Sequence, residues 1–318
     1  MATHYLDFER PIGDLEAKIE ELSKLSDEAG GGAFDKELGA LRTRVQAMRR
    51  ESYAKLDPWQ KTQVARHPER PHMSAYVTGL IDDFVELRGD RRFGDDQAVV
   101  GGLGRFRGTP VVVLGHEKGH DTASRVKHNF GMAKPEGYRK AIRLMDMAEQ
   151  FNLPVISFVD TAGAYPGVGG EERGQGEAIA RSTERCLTLG VPMVATITGE
   201  GGSGGALAIA AANRVLILEH AIYSVASPEA AARIVFRDPD QASVMAGAMH
   251  ITAEDLIKLG VVDRIIEEPA GGAHAAPEAA IRAVGDVLEE ELRAFEGRSP
   301  EALRAQRAER FYAIGRTL

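Results

Sequence analysis

Apolar residues near the start of the chain recur at helical steps, first at Ile12, Leu15, Ile19, Leu22 and Leu25. They recur again at Phe34, Leu38, Leu41, Val45 and Met48, after glycines at 30–32. The spacing predicts two helices joined as a hairpin over residues 1–56. Each has one apolar stripe, which needs cover from a partner, from the main body of the fold or from its own adjoining domain. Residues 57–71 hold Pro58, Pro68 and Pro71 with little periodicity, and read as a connector into a main domain over 57–296. A charged helix over 297–318 follows.

Inside the main domain the period shortens. Residues 98–115, AVVGGLGRFRGTPVVVLG, carry two β-rich runs around Arg107-Gly108, the pattern of a hairpin. A helix is predicted over 134–150 with Pro135 in its first turn, a buried strand over 153–160, a helix over 177–189 and a strand over 214–219. Between the last two lies VPMVATITGEGGSGGALAIAAA (191–212), a strand that empties into Gly199, Gly201, Gly202, Gly204 and Gly205 and then into an alanine-rich helix. Alternating β and α elements predict an α/β fold with a parallel sheet under helices. Ser227-Pro228-Glu229, and Thr252 with Asp255 ahead of Gly260, mark two further helix starts.

The 318 residues are 43% apolar, enough for a normal core, and the formal charge of -8 argues against an overall nucleic-acid or membrane binder. No apolar run approaches a membrane span, and the opening MATHYLDFERPIGD lacks the pattern of a secretory leader, so the expected location is cytoplasmic. The single cysteine, Cys186, rules out an intrachain disulfide or a multi-cysteine zinc site and reads as a buried apolar residue. Residues 116–140 run against the overall charge: Lys118, Arg125, Lys127, Lys134, Arg139 and Lys140 face only Glu117, Asp121 and Glu136. That stretch fits a site for phosphates or an acidic partner, and equally an ordinary solvated surface.

The glycine turn matches motifs of different chemistry. Its glycines permit φ > 0 and close approach of a ligand, and a helix start offers unpaired N–H groups to an anion. Gly199, Gly201 and Gly204, with Glu219 20 residues beyond the first, satisfy a dinucleotide fingerprint, although Gly202 and Gly205 have no job in it. Gly201, Ser203 and Gly205 satisfy G-x-S-x-G, the nucleophile elbow of a serine hydrolase, with His220, His250 and His274 downstream. The plainer account is a serine that hydrogen-bonds its own turn. HEKGH (116–120) spells a zinc-protease motif, but it follows an extended run and contains Gly119, where that motif needs a helix. A second glycine-rich loop, DTAGAYPGVGGEERGQ, ends the 153–160 strand, so two such loops would lie side by side at one sheet edge.

Four segments, DTAGAYPG (160–167), EERGQGEAIAR (171–181), ITGEGGSGGALAI (197–209) and YSVASPE (223–229), closely resemble the α-subunit family of bacterial acetyl-CoA carboxylase carboxyltransferases. So do ARHPERP (65–71), GHEKG (115–119), NFGMAKPEGYRKAIRLM (129–145) and EPAGGAHAAPE (268–278). The resemblance runs from LDFERPI to about residue 296. It implies a crotonase-like (ClpP-like) superhelix of ββα units, and transfer of a carboxyl group from carboxybiotin to acetyl-CoA to give malonyl-CoA for fatty-acid synthesis. It implies as partners a β subunit in an α2β2 assembly, the biotin carboxyl carrier protein and biotin carboxylase.

No M-K-M biotinylation site and no G-K-[ST] phosphate loop occurs, so biotin and ATP chemistry are expected on partner chains, and the family's zinc only on the β subunit. By its matching S-G-G-A pattern, the resemblance places a backbone oxyanion hole at Gly204 and Gly205, with Ala206 the next candidate, facing biotin. Gly163, Ala164, Tyr165, Pro166, Gly167, Gly201, Gly202 and Ser203 are expected to line the substrate surface. The chain departs from the family at Ala162, where proline is usual, and at Ala230-Ala231, where glycine-cysteine is usual; no departure removes a backbone donor. The alternatives are a ClpP-like serine hydrolase using Ser203 and a non-catalytic scaffold for the β subunit.

Overall fold

The computed structural model describes residues 4–28 and 32–316. The helices and strands run in chain order as α1 (Arg10–Glu28), α2 (Asp35–Tyr53), α3 (Pro58–Ala65), α4 (Met73–Leu80), β1 (Ile81–Glu86), β2 (Val99–Phe106) and β3 (Thr109–His116). Next come α5 (Thr122–Lys127), α6 (Pro135–Gln150), β4 (Val155–Thr161), α7 (Val168–Glu172), α8 (Gln175–Thr188), β5 (Met193–Gly202) and α9 (Ser203–Leu207). The chain ends with β6 (Arg214–Leu218), β7 (Ile222–Ser224), α10 (Pro228–Val235), α11 (Ala242–Ala248), α12 (Ala253–Lys258), β8 (Arg264–Ile266), α13 (Pro277–Arg293) and α14 (Pro300–Ala313). Gly30 and Gly31 of the expected break lie outside the described residues, as do the last two of the C-terminal segment.

α1 and α2 pack on each other, burying Ile12, Leu38 and Val45, and the Arg49 guanidinium bonds Glu16 at 2.6 Å. At the base of the pair the Tyr53 hydroxyl donates to Glu9 at 2.6 Å, and its ring meets His220 edge-on at 5.3 Å. Of the two stripes, Ile12, Leu38 and Val45 are thereby buried, while Leu15, Ile19, Leu22, Phe34, Leu41 and Met48 are half-buried and Leu25 is exposed. Residues 57–71 are more than a connector. Asp57 accepts from the Gln60 N–H while the Gln60 side chain accepts from the Asp57 N–H, and Pro58 takes the first helical position of α3.

One sheet runs β1-β2-β3-β4-β5-β6-β8, with β7 attached to β5. β1, β2 and β3 are antiparallel, and Arg107-Gly108 turns the β2–β3 hairpin with φ +48 and +84, the left-handed pair of a type I′ turn. From β3 onward the pairing is parallel, and β4 and β5 are buried at every residue, as expected where both faces are covered. α6 lies against β2 and β3 and beside α8, while α13 packs with α4 and touches β5 and β8.

β5 changes neighbour midway. Residues 194–197 pair with β6, whereas 200–202 pair with β7. On the other side Val159 pairs with Ile197 but Thr161 with Gly201, so β5 carries two residues more than β4 over that step. The expected alanine-rich helix is short, because residues 208–212 are buried all round and turn to enter β6. Asn213 fixes that turn, accepting from the Met193 N–H and donating to the Leu303 carbonyl. Arg307 of α14 is fully buried and donates to the Leu189 and Val191 carbonyls at 2.6 and 3.0 Å, which ties the last helix to the entry of β5.

Candidate functional site

The two glycine loops meet at the C-terminal ends of β4 and β5. A Cβ on Gly205 would lie 2.7 Å from both the Ala164 nitrogen and the Gly163 carbonyl carbon, and 2.9 Å from the Tyr138 hydroxyl. A Cβ on Gly202 would overlap the Ala162 carbonyl. Glycine is thus required here by close approach of backbone to backbone. The other expected use of these glycines is not made: none of Gly199, Gly201, Gly202, Gly204 and Gly205 has positive φ, and the left-handed residue of the turn is Ser203, at φ +57.

Ser203 is exposed, and among the described residues its hydroxyl makes no hydrogen bond, so it does not brace its own turn as expected. The turn is held by main-chain pairing of residues 200–202 with β7. His250 shares with Ser203 and Gly204 a largely apolar cavity of about 500 Å³, and Asp255 lies 3.7 Å behind the imidazole. No Ser203–His250 hydrogen bond links them, so a nucleophile–base relay is not assembled. Gly204 is half-buried, Gly205 and Ala206 are buried, and Gly201 is enclosed by Tyr223 and Ile222.

Of the DTAGAYPG loop, Gly163 and Ala164 face the glycine turn. Tyr165 folds back over Gly167 and Gly170, with its N–H donating to the Ala133 carbonyl at 2.9 Å and the Lys134 ammonium 5.3 Å from its ring. Pro166 is exposed. The structure therefore brings together Gly163, Ala164, Gly202, Ser203 and Gly205, and turns Tyr165, Pro166 and Gly167 into an outward arm.

Behind both loops sits a buried charge cluster that sequence reasoning missed. Asp160, the first residue of DTAGAYPG, meets the Lys118 ammonium at 2.6 Å and the His72 Nδ1 at 2.9 Å, and accepts the Glu200 N–H at 3.0 Å. Burial alone would raise its pKa, but Lys118 and then His72 outweigh it and hold the carboxyl far below the usual range. One carboxylate thus pins the starts of both glycine loops. His116, fully buried against the Gly205 backbone, is pushed down to about 4 by burial and stays neutral at ordinary pH. Arg66 fastens Glu200 at 2.7 Å and Glu229, at the start of α10, at 2.6 Å. Arg70 and Glu268 form a fully buried bidentate pair at 2.5 and 2.8 Å. The available signal was the quoted segments themselves: ARHPERP supplies Arg66 and Arg70, GHEKG supplies His116 and Lys118, and EPAGGAHAAPE supplies Glu268.

The remaining motifs resolve into structure. In HEKGH, His116 ends β3, Glu117 accepts from the Ser74 and Gly119 N–H groups, and His120 is exposed, so the two histidines share no helix face. Gly199 and Gly201 sit inside strand β5, and Glu219 accepts the Glu268 N–H, so the first two glycines of the dinucleotide pattern form strand rather than a phosphate-binding turn. The basic stretch is half inward: Lys140 is buried on the Asp96 and Val99 carbonyls, Arg139 pairs with Asp90 and Glu136, and Lys118 serves Asp160. Glu9, His67 and His274 bring three metal-type ligands together, but the two imidazoles stack at 3.7 Å and 17°. His67 is further engaged by the His4 carbonyl through Nε2 and by the Glu69 N–H through Nδ1, so both its ring nitrogens are already hydrogen-bonded within the chain. Cys186 is buried, with its thiol pushed up to about 12 by burial. Ala162 is exposed, and Ala230 takes its cap from Ser227 at 3.2 Å, so neither departure disturbs the loops.

Residues 5–315 match the family model described as acetyl co-enzyme A carboxylase carboxyltransferase-like. The chain is 75% identical over 316 residues, 99% of each chain, to the acetyl-coenzyme A carboxylase carboxyl transferase subunit alpha of Caulobacter vibrioides (strain NA1000 / CB15N). It is 70% identical over 317 residues, all of this chain and 99% of the other, to the subunit of that name in Phenylobacterium zucineum (strain HLK1). Among solved structures, transcarboxylase 12S aligns at TM-score 0.56 and 20% identity over 70% of this chain and 42% of that one. The beta subunit of P. aeruginosa geranyl-CoA carboxylase aligns at 0.55 and 18% over 78% and 46%. At that identity the likeness is one of fold, and it agrees with the crotonase-like architecture expected. No described helix is long and apolar enough to cross a membrane.

Proposed function

The chain belongs to the acetyl co-enzyme A carboxylase carboxyltransferase family, in its α-subunit branch, and on that premise we propose how its two glycine loops serve carboxyl transfer. With a β subunit it moves the carboxyl group of carboxybiotin, presented by a biotin carrier protein, onto acetyl-CoA to give malonyl-CoA. Residues 57–296 form the carboxyltransferase domain, with 1–56 and 297–318 as helical additions, working in the cytoplasm.

In this transfer the N–carboxyl bond of biotin breaks, and its electron pair passes to the ureido group. The ureido anion takes a methyl proton from acetyl-CoA, and the resulting enolate carbon attacks the released carboxyl carbon. Negative charge appears in turn on a ureido oxygen and on a thioester oxygen. Neither needs a protein nucleophile; both need fixed hydrogen-bond donors. The Gly204 and Gly205 amides are assigned to the ureido oxygen, with Ala206 next, and the β subunit supplies donors for the thioester. The observation that carries this is the close approach of Gly205 to the Gly163–Ala164 peptide, so close that even a Cβ would not fit between them, which leaves the turn little room to retreat from the charge.

The test is malonyl-CoA formation from carboxylated carrier and acetyl-CoA, with the chain alone, the β subunit alone and the pair. Activity is expected only in the pair. Transfer by the isolated chain would overturn the division of labour, and labelling of Ser203 by a fluorophosphonate would return the hydrolase reading.

A further inference from the structure

A cavity of about 220 Å³ opens beside Ala162, one residue from the Gly163–Gly205 contact. Segments distant in sequence converge on it: Arg66 and His72, Lys118 two residues past β3, Arg125 of α5, Phe130, and Glu200 of β5, whose carboxylate Arg66 neutralises. Their charges are unequally satisfied. Arg66 is committed to Glu200 and Glu229, and Lys118 gives one of its three N–H groups to Asp160. Arg125, half-buried, donates to the Pro68 carbonyl at 3.2 Å and pairs with no carboxylate among the described residues. A guanidinium partly withdrawn from water with most donors unused is built for a carboxylate or phosphate. The backbone at the cavity rim is strained as well: Asn129 and Phe130 are both left-handed, at φ +47 and +55, and hold the Phe130 ring half-exposed at the mouth. Strain of this kind gathers at ligand sites.

We propose that this cavity binds the carboxylate in transit, held by the Arg125 guanidinium and the spare ammonium hydrogens of Lys118. The inference rests on the carboxyl-transfer reading above and names the residues that receive the transferred group. The cavity adjoins the loop where transfer takes place, whereas the phosphates of CoA lie a pantetheine arm away from the thioester. The same carboxylate occupies the site whether malonyl-CoA or carboxybiotin has brought it. Losing Arg125 therefore weakens the two carboxylated partners together, leaves their decarboxylated forms alone and conserves the overall equilibrium.

The experiment uses the reconstituted α/β pair with biotinylated carrier, assayed in both directions for Arg125→Gln, Arg125→Lys and Lys118→Met, with a thermal melt of each. Arg125→Gln is expected to raise KM for malonyl-CoA and for carboxylated carrier about tenfold or more. KM for acetyl-CoA and for uncarboxylated carrier stays within about twofold, and Arg125→Lys recovers part of the loss. Unchanged constants at a wild-type melting temperature overturn the proposal. Equal rises for acetyl-CoA and malonyl-CoA that vanish with 3′-dephospho-CoA esters also overturn it, and assign the cavity to a phosphate. Failure of the wild-type pair to transfer at all overturns the functional reading instead.

Discussion

Gly205→Ala isolates the contact on which the site depends. The added methyl would sit 2.7 Å from the Ala164 nitrogen and the Gly163 carbonyl carbon, both main-chain atoms that cannot swing aside. To reach ordinary contact the two loops must part by several tenths of an ångström, and the Gly205 amide moves with them. A displaced oxyanion donor costs about 3 to 4 kcal/mol of transition-state stabilisation, or about 10² to 10³ in kcat. Ser203→Ala is the matched control: its hydroxyl bonds nothing among the described residues, so kcat should stay within about threefold of wild type. The assay is steady-state malonyl-CoA formation by the reconstituted pair, with KM for acetyl-CoA and a melting temperature for each variant. Gly205→Ala with near-wild-type kcat would refute the assignment of its amide. Ser203→Ala as damaging as Gly205→Ala would refute the backbone-only mechanism. If bulky residues at both Gly204 and Gly205 leave transfer intact, the chain is a scaffold.

Acid stability should report the Arg70–Glu268 pair. Burial would raise the Glu268 carboxyl, but Arg70 holds it at about 2 against an ordinary 4.5, so its contribution is complete above about pH 4.5 and is lost as pH falls towards 2. Glu268→Gln should cost about 3 to 5 kcal/mol at pH 7 and flatten the acid limb of urea midpoints measured from pH 7 to 3; an unchanged acid limb would sink this account. Cys186 should resist a thiol-disulfide reagent in the native protein and react on denaturation, since burial suppresses its thiolate. Rapid native labelling would contradict its placement.

The β2–β3 hairpin, α6, β4, the two glycine loops and the caps at Ser227 and Thr252 were legible because each is announced by local chemistry within a few residues. α3 was missed although Asp57, Pro58 and Gln60 spell a capping box, because three prolines outweighed it. The alanine run after Gly205 misled for a different reason: helix propensity is local, but residues 208–212 turn where the core requires. Asp160 with Lys118 and His72, and Arg70 with Glu268, left no periodic trace, being joined across 42 to 198 residues by folding alone. The charge count at 116–140 could not separate Lys140, buried as a strut, from Arg125, which meets no counter-ion among the described residues.

The two-residue excess of β5 over β4 makes the proposed catalytic surface a check on how the chain has assembled. Asp160 and the Glu200 amide it accepts are 40 residues apart and belong to different β-α units, so neither unit can form the site alone. The surface comes into being only when two parallel strands have paired, the slow kind of non-local contact. A slip of one residue would carry Gly205 past the Gly163–Ala164 peptide and send the side chains of β5 to the wrong face. A misregistered chain would thus be compact and inert, and the appearance of transfer activity during refolding would time the moment at which β4 and β5 lock.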